Sequence, residues 1–96
     1  MQVRFTSLAS NELADARAWL DNQQPGLGNR LNEEVRQVVA RILRMPLMYP
    51  ADSGGIRKAT LARFPYSLRY TVRPELILVI AVSHHHRAPD YWVDSQ

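Results

Sequence analysis

Seven consecutive apolar residues, Leu76 to Val82 (LILVIAV), constrain the fold more than any other stretch. A strand with one wet face alternates; a strand apolar at every position is covered on both faces. The run is far shorter than the roughly 20 residues a membrane span needs. It therefore reads as a central strand, with a neighbour on each side and a second layer over the sheet.

The rest of the chain supplies those parts. MQVRFT (1–6) alternates, with Val3 and Phe5 on one side and Gln2 and Arg4 on the other, which predicts a half-buried first strand. Ser7 or Ser10 is placed to cap a helix running to about Gln23, in which Ala9, Leu13, Ala16 and Leu20 recur at helical spacing. Trp19 on this helix is expected in the core. Pro25 and Gly26 interrupt it. From about Gly28 to Arg44 the residues Leu31, Val35, Val38, Val39, Ile42 and Leu43 form an apolar helical stripe, with Arg41 and Arg44 near the negative end of the helix dipole. So short a loop between two helices predicts an antiparallel hairpin.

After the loop PLMYPADSGG (46–55) the period drops to two. IRKATLARF (56–64) reads as a strand, and Pro65 interrupts the pattern because it cannot donate to a ladder. YSLRYTV (66–72) places Tyr66, Leu68, Tyr70 and Val72 on one face and Ser67, Arg69 and Thr71, followed by Arg73, on the other. At least one of the two tyrosine rings is expected in the core. Short turns make the last three strands antiparallel. Strand 1 is expected to pair with the last strand. The expected fold is α+β in the order β-α-α-β-β-β, with the helical hairpin on one face of a C-terminal antiparallel sheet. No repeat or linker divides the chain, so residues 1–96 are expected to form one domain.

Composition narrows the function. Without cysteine there is neither a disulfide framework nor a thiolate metal site, which suits a reducing compartment. The N-terminus lacks the pattern of a signal peptide, and the expected location is the cytoplasm. The net charge is only +3, yet eleven of the twelve basic residues are arginine. Between Ile56 and Arg73 lie Arg57, Lys58, Arg63, Arg69 and Arg73 with no acid. Such a block suits a phosphate or a carboxylate-bearing protein surface, and arginine's planar fork fits both.

HHHRAPDYW (84–92) follows the central strand and should emerge at the rim of the sheet. Strand geometry puts His84 and His86 on one face and His85 on the other. A metal would need three or four converging ligands, and no metal or other cofactor is expected. An acid–base role for a histidine or Tyr91, with Arg87, Arg69, Arg63 and Lys58 bracing a phosphate, would suit cleavage of RNA. The alternative is a strand end whose histidines satisfy backbone groups while Trp92 caps the core.

GGIRKATLARFPYSLRYTV, a short turn, then LILVIAVSHHHRAPDYW resembles the RelE/ParE toxin superfamily of bacterial type II toxin–antitoxin systems. Residues 8–50 resemble its helical hairpin and the proline-bounded loop behind it, so the likeness covers nearly the whole chain. FPYSLRYTV with AVSHHHRAPDYW is the most telling part. The resemblance implies a plasmid stabilisation-like toxin, held in a hetero-oligomer by an antitoxin whose acidic or amphipathic C-terminal segment wraps it. It implies either inhibition of DNA gyrase by binding, as in ParE-like members, or ribosome-dependent mRNA cleavage, as in RelE-like ones. For cleavage the matching residues would be Lys58, His85, Arg87 and Tyr91. However, Ser67 stands where the ribonuclease branch carries an arginine, and the His84-x-x-Arg87-x-Pro89 ending resembles the ParE-like branch. The favoured reading is therefore non-catalytic, with Arg57, Lys58, Arg63, Arg69, Arg73, Arg87 and Trp92 as partner-binding residues. A non-toxic relic that only binds its antitoxin is a third possibility.

Overall fold

The computed structural model describes residues 1–85. Its elements are β1 (Gln2–Phe5), α1 (Ser7–Gln23), α2 (Leu27–Arg44), β2 (Arg57–Thr60), β3 (Tyr66–Arg73) and β4 (Leu76–His84). The four strands form one sheet in the order β1-β4-β3-β2. β2, β3 and β4 are antiparallel neighbours, and β1 joins the other edge of β4 in parallel. LILVIAV thus has a strand on each side, and the α+β order is the one its neighbours demanded.

The start of α1 is anchored to β4. Thr6, rather than Ser7 or Ser10, is the N-cap: its Oγ1 accepts from the Ala9 amide at 3.1 Å and donates to the Ile80 carbonyl at 3.2 Å. The amide of Thr6 also donates to the Val79 carbonyl at 3.0 Å. Pairing β1 with β4 brings Thr6, and neither serine, to that carbonyl. The turn between the helices is closed by Asp21, whose Oδ1 accepts from the amides of Gly26 (3.2 Å) and Gly28 (2.8 Å). Gly26 has φ +95°, and a Cβ on Gly28 would lie 2.7 Å from the Arg17 carbonyl, so both positions require glycine.

The core lies between the hairpin and the sheet. Ala9, Ala16 and Leu20 from α1 and Leu31, Val35, Val38 and Ile42 from α2 meet Ala59, Leu68, Tyr70, Ile77, Val79 and Val82. Each buried leucine, isoleucine or valine contributes about 1.5–3 kcal/mol through burial. Trp19 is not part of this core; it is 58% exposed. One residue before Leu20, it is turned about 100° away from the stripe that faces the sheet.

β4 is apolar from Leu76 to Val82 because side chains on both its faces are packed. Arg69 pairs with Ala81 but Tyr70 pairs with Val79, leaving Ile80 as an extra residue in the strand. This bulge breaks the two-residue alternation. Val79 and Val82 both join the helix side, whereas Ile80 and Ala81 belong to a smaller cluster with Ile56, Leu8 and Leu78 on the other.

β2 ends at Thr60 instead of continuing to Phe64. Beyond it the Glu34 carboxylate on α2 takes the amides of Ala62 (3.1 Å) and Arg63 (3.2 Å). Those amides leave the ladder for a partner across the molecule. Among the described residues, no helix is long and apolar enough to cross a membrane.

Candidate functional site

The sheet sorts its cations by alternation. On the face away from the helices the register sets Gln2, Leu76 and Arg73 in one row; Arg4, Leu78 and Thr71 in the next; then Ala81, Arg69 and Lys58; then Ser83, Ser67 and Thr60. Lys58, Arg69 and Arg73 therefore share this face, and Arg4 joins them from β1. The four strands contain no carboxylate. Lys58 lies directly cross-strand from Arg69, an arrangement that costs stability on its own.

Two expected partner-binding residues stand elsewhere. Arg57 pairs with Tyr70 on the helix side, and its guanidinium donates to the carbonyls of Leu47 (3.3 Å) and Tyr49. Arg63 sits in the turn after β2, exposed, with its amide on Glu34. His86, Arg87, Tyr91 and Trp92 lie outside the described residues.

The rim beyond the cations is built from hydroxyls and rings. Ser67 is 2% exposed, and its Oγ lies 3.1 Å from Thr60 Oγ1 and 3.3 Å from His85 Nε2. The His85 amide donates to the Pro65 carbonyl at 2.9 Å. On the opposite face His84 meets Tyr66 edge-to-face, with ring centroids 5.1 Å apart. Burial pushes the Tyr66 hydroxyl pKa above its ordinary value, so Tyr66 stays neutral at physiological pH. The consecutive histidines thus part to opposite faces. Among the described residues no three His, Asp or Glu side chains gather as metal ligands.

A second site was not evident in the sequence. The two helices and the end of β1 leave a groove of about 590 Å³, lined by Leu13, Val35, Val39 and Leu43, with Arg17 and Arg36 also bordering it. Arg17 Nη2 donates to Asn29 Oδ1 at 3.2 Å. The only signal was the width of the α2 stripe. Leu31, Val35, Val38 and Ile42 suffice for the core, while Val39 is half-buried and Leu43 is exposed. An apolar channel fringed by arginine fits an amphipathic segment carrying acids.

Comparison with known proteins agrees with this architecture. Eight chains of solved structures are similar to it. One, described as the "Chromosomal ParDE TA system from P. aeruginosa", superposes with a TM-score of 0.76 at 18% sequence identity, covering 88% of this chain and 95% of that one. At that identity the likeness is one of fold. No curated protein matches the sequence significantly. Residues 3–89 match the family described as "ParE toxin of type II toxin-antitoxin system, parDE". The chain belongs to the ParE toxin family, as a toxin component of the type II systems.

Proposed function

We propose that this toxin acts by binding, with DNA gyrase as its target, and that a cognate antitoxin neutralises it. The observation that carries the non-catalytic reading is the state of Ser67. A phosphate-cleaving site needs a fixed positive charge where negative charge develops. At the position where ribonuclease relatives carry an arginine, this chain has an uncharged hydroxyl, buried and engaged by Thr60 and His85. Serine cannot replace a guanidinium there. Lys58 and His85 share a face, and the side chain that His85 Nε2 meets is the neutral Ser67 hydroxyl at 3.3 Å, not a carboxylate or a guanidinium.

The groove between α1 and α2 supports the antitoxin half of the reading. Its apolar lining and its arginines complement an amphipathic, acidic segment that orders on binding. The whole chain, residues 1–96, is taken as one toxin domain working in the cytoplasm, inside a toxin–antitoxin hetero-oligomer.

Purified toxin added to a gyrase supercoiling assay and, separately, to an in vitro translation reaction tests this. The expected result is lost supercoiling with intact messages, reversed by antitoxin. Cut messages with gyrase unaffected would replace it with the ribonuclease reading, in which Lys58, His85, Arg87 and Tyr91 become the residues to mutate. No effect on either, with growth unharmed, would leave an antitoxin-binding relic.

A further inference from the structure

From the last turn of α2 into the loop before β2 the chain exposes a run of large apolar side chains. Leu43, Met45, Leu47 and Met48 are 38%, 57%, 67% and 44% exposed. From Val35 to Ala51 the sequence carries Arg36, Arg41 and Arg44 and no acid. Four large apolar side chains exposed within six residues suit an interaction surface.

The backbone beneath this patch is held from inside. The buried Tyr70 hydroxyl donates to the Pro46 carbonyl at 2.9 Å. Arg57 donates to the carbonyls of Leu47 and Tyr49. The Tyr49 ring meets Tyr70 edge-on with centroids 6.4 Å apart, and the Met48 amide donates to the Met45 carbonyl at 3.1 Å. A fully buried phenol and a half-buried guanidinium thus order a loop that packs Tyr49 against the core and turns Met45, Leu47 and Met48 outward. A loop ordered in advance loses less entropy on docking, and methionine adapts its shape to a partner.

We infer that residues 43–48 are the docking surface for the toxin's target protein, and that the target offers an apolar hollow bordered by carboxylates. The inference rests on the binding-toxin reading above and names the surface that reading left open. Charge decides the occupant. A twofold pair of these chains, patch against patch, would set Arg44 of one copy near Arg44 of the other, whereas an acidic rim on a different protein would pair with it; Arg41 instead borders a groove that also holds Glu33 and Glu34. The groove between the helices is a separate surface that meets the patch at Leu43 and is bordered by Arg36.

The test uses full-length toxin carrying Leu47→Ser with Met48→Ser, both exposed positions, checked for folding by thermal melting. Binding is measured to immobilised purified gyrase and to purified antitoxin. Hot-spot truncation predicts gyrase affinity roughly thirtyfold weaker, with inhibition of supercoiling lost in parallel and antitoxin affinity unchanged. Arg44→Ser, should the double variant fail to fold, is expected to weaken gyrase binding roughly fivefold and more at low salt than at high salt. Wild-type affinity for gyrase in the variants would overturn the inference and leave the gyrase reading standing. So would loss of antitoxin binding in place of gyrase binding, or a wild-type dimer that the double variant dissolves. A wild-type toxin that does not bind gyrase would remove the reading and the inference together.

Discussion

Two connections flank β2, and they are built alike. The loop after α2 has its carbonyls held by a cation: Arg57 bonds Leu47 and Tyr49, while Tyr70 bonds Pro46. The turn after β2 has its amides held by an anion: Glu34 bonds Ala62 and Arg63. In both, a charged side chain from a packed element satisfies backbone that no ladder reaches. They differ in what they show to solvent. The turn after β2 buries Leu61, half-buries Phe64 and exposes Ala62 and Arg63, whereas the loop after α2 exposes Met45, Leu47 and Met48. Internal anchoring is common to both connections, so what sets the loop after α2 apart is its outward apolar side chains.

The largest effect should come from the anchor shared with the core. Tyr70 is fully buried, and Tyr70→Ala is expected to cost about 3–5 kcal/mol in chemical denaturation, a large share of the stability of a domain this size. Tyr70→Phe keeps the packing and strands the Pro46 carbonyl, for about 1 kcal/mol. It also changes the response to alkali. Burial raises the Tyr70 pKa above its ordinary value near 10; Arg57 lowers it in part and Tyr49 raises it again. A raised pKa favours the protonated fold, so that stabilisation is complete below the unfolded value and is lost as pH rises through the folded one. Melting temperature should fall above about pH 10 in wild type, and less steeply in Tyr70→Phe. Equal slopes would mean that Tyr70 is not protected by the core.

The two ionic anchors can be removed one at a time. Arg57→Ala deletes two bonds from a charged donor and is expected to cost about 1.5–2 kcal/mol. It should also admit protease to the loop after α2 and leave the turn after β2 intact. Glu34→Ala is expected to cost about 1 kcal/mol, as for a lost helix cap, because water can reach the amides it releases. The protease pattern should reverse. If both variants loosen both connections, the two are one cooperative unit and the contrast fails.

What could be read in advance follows from the range of each interaction. The helical stripes and the all-apolar strand depend on residues within a few positions of one another, so the hairpin and the central place of β4 were visible. Alternation along β3 correctly grouped Arg69 with Arg73 and parted His84 from His85. The same alternation separates Arg57 from Lys58, yet the block of positive charge encouraged treating them together. Glu34 lies 28 residues from the amide it captures, so the early end of β2 had no local sign. The bulge at Ile80 was hidden because a uniformly apolar run has no period to break. The groove requires two helices to be placed relative to β1, and Trp19 looked like core because residue type outweighed its position on the helix.

The smallest expected effect is the most informative. If Leu47 and Met48 stabilise the loop they stand on, Leu47→Ser with Met48→Ser should cost as much as a partly buried core change, about 1 kcal/mol or more. The structure gives them no such role, because the bonds that order the loop come from backbone groups and from the side chains of Tyr70, Arg57 and Asp52. Exposed substitutions of that kind usually move stability by less than about 0.5 kcal/mol. The double variant should therefore melt within error of wild type and, having lost exposed apolar surface, remain soluble at higher concentration. A marked loss of stability would make the patch part of the fold, and its two apolar residues would then need no partner to explain them.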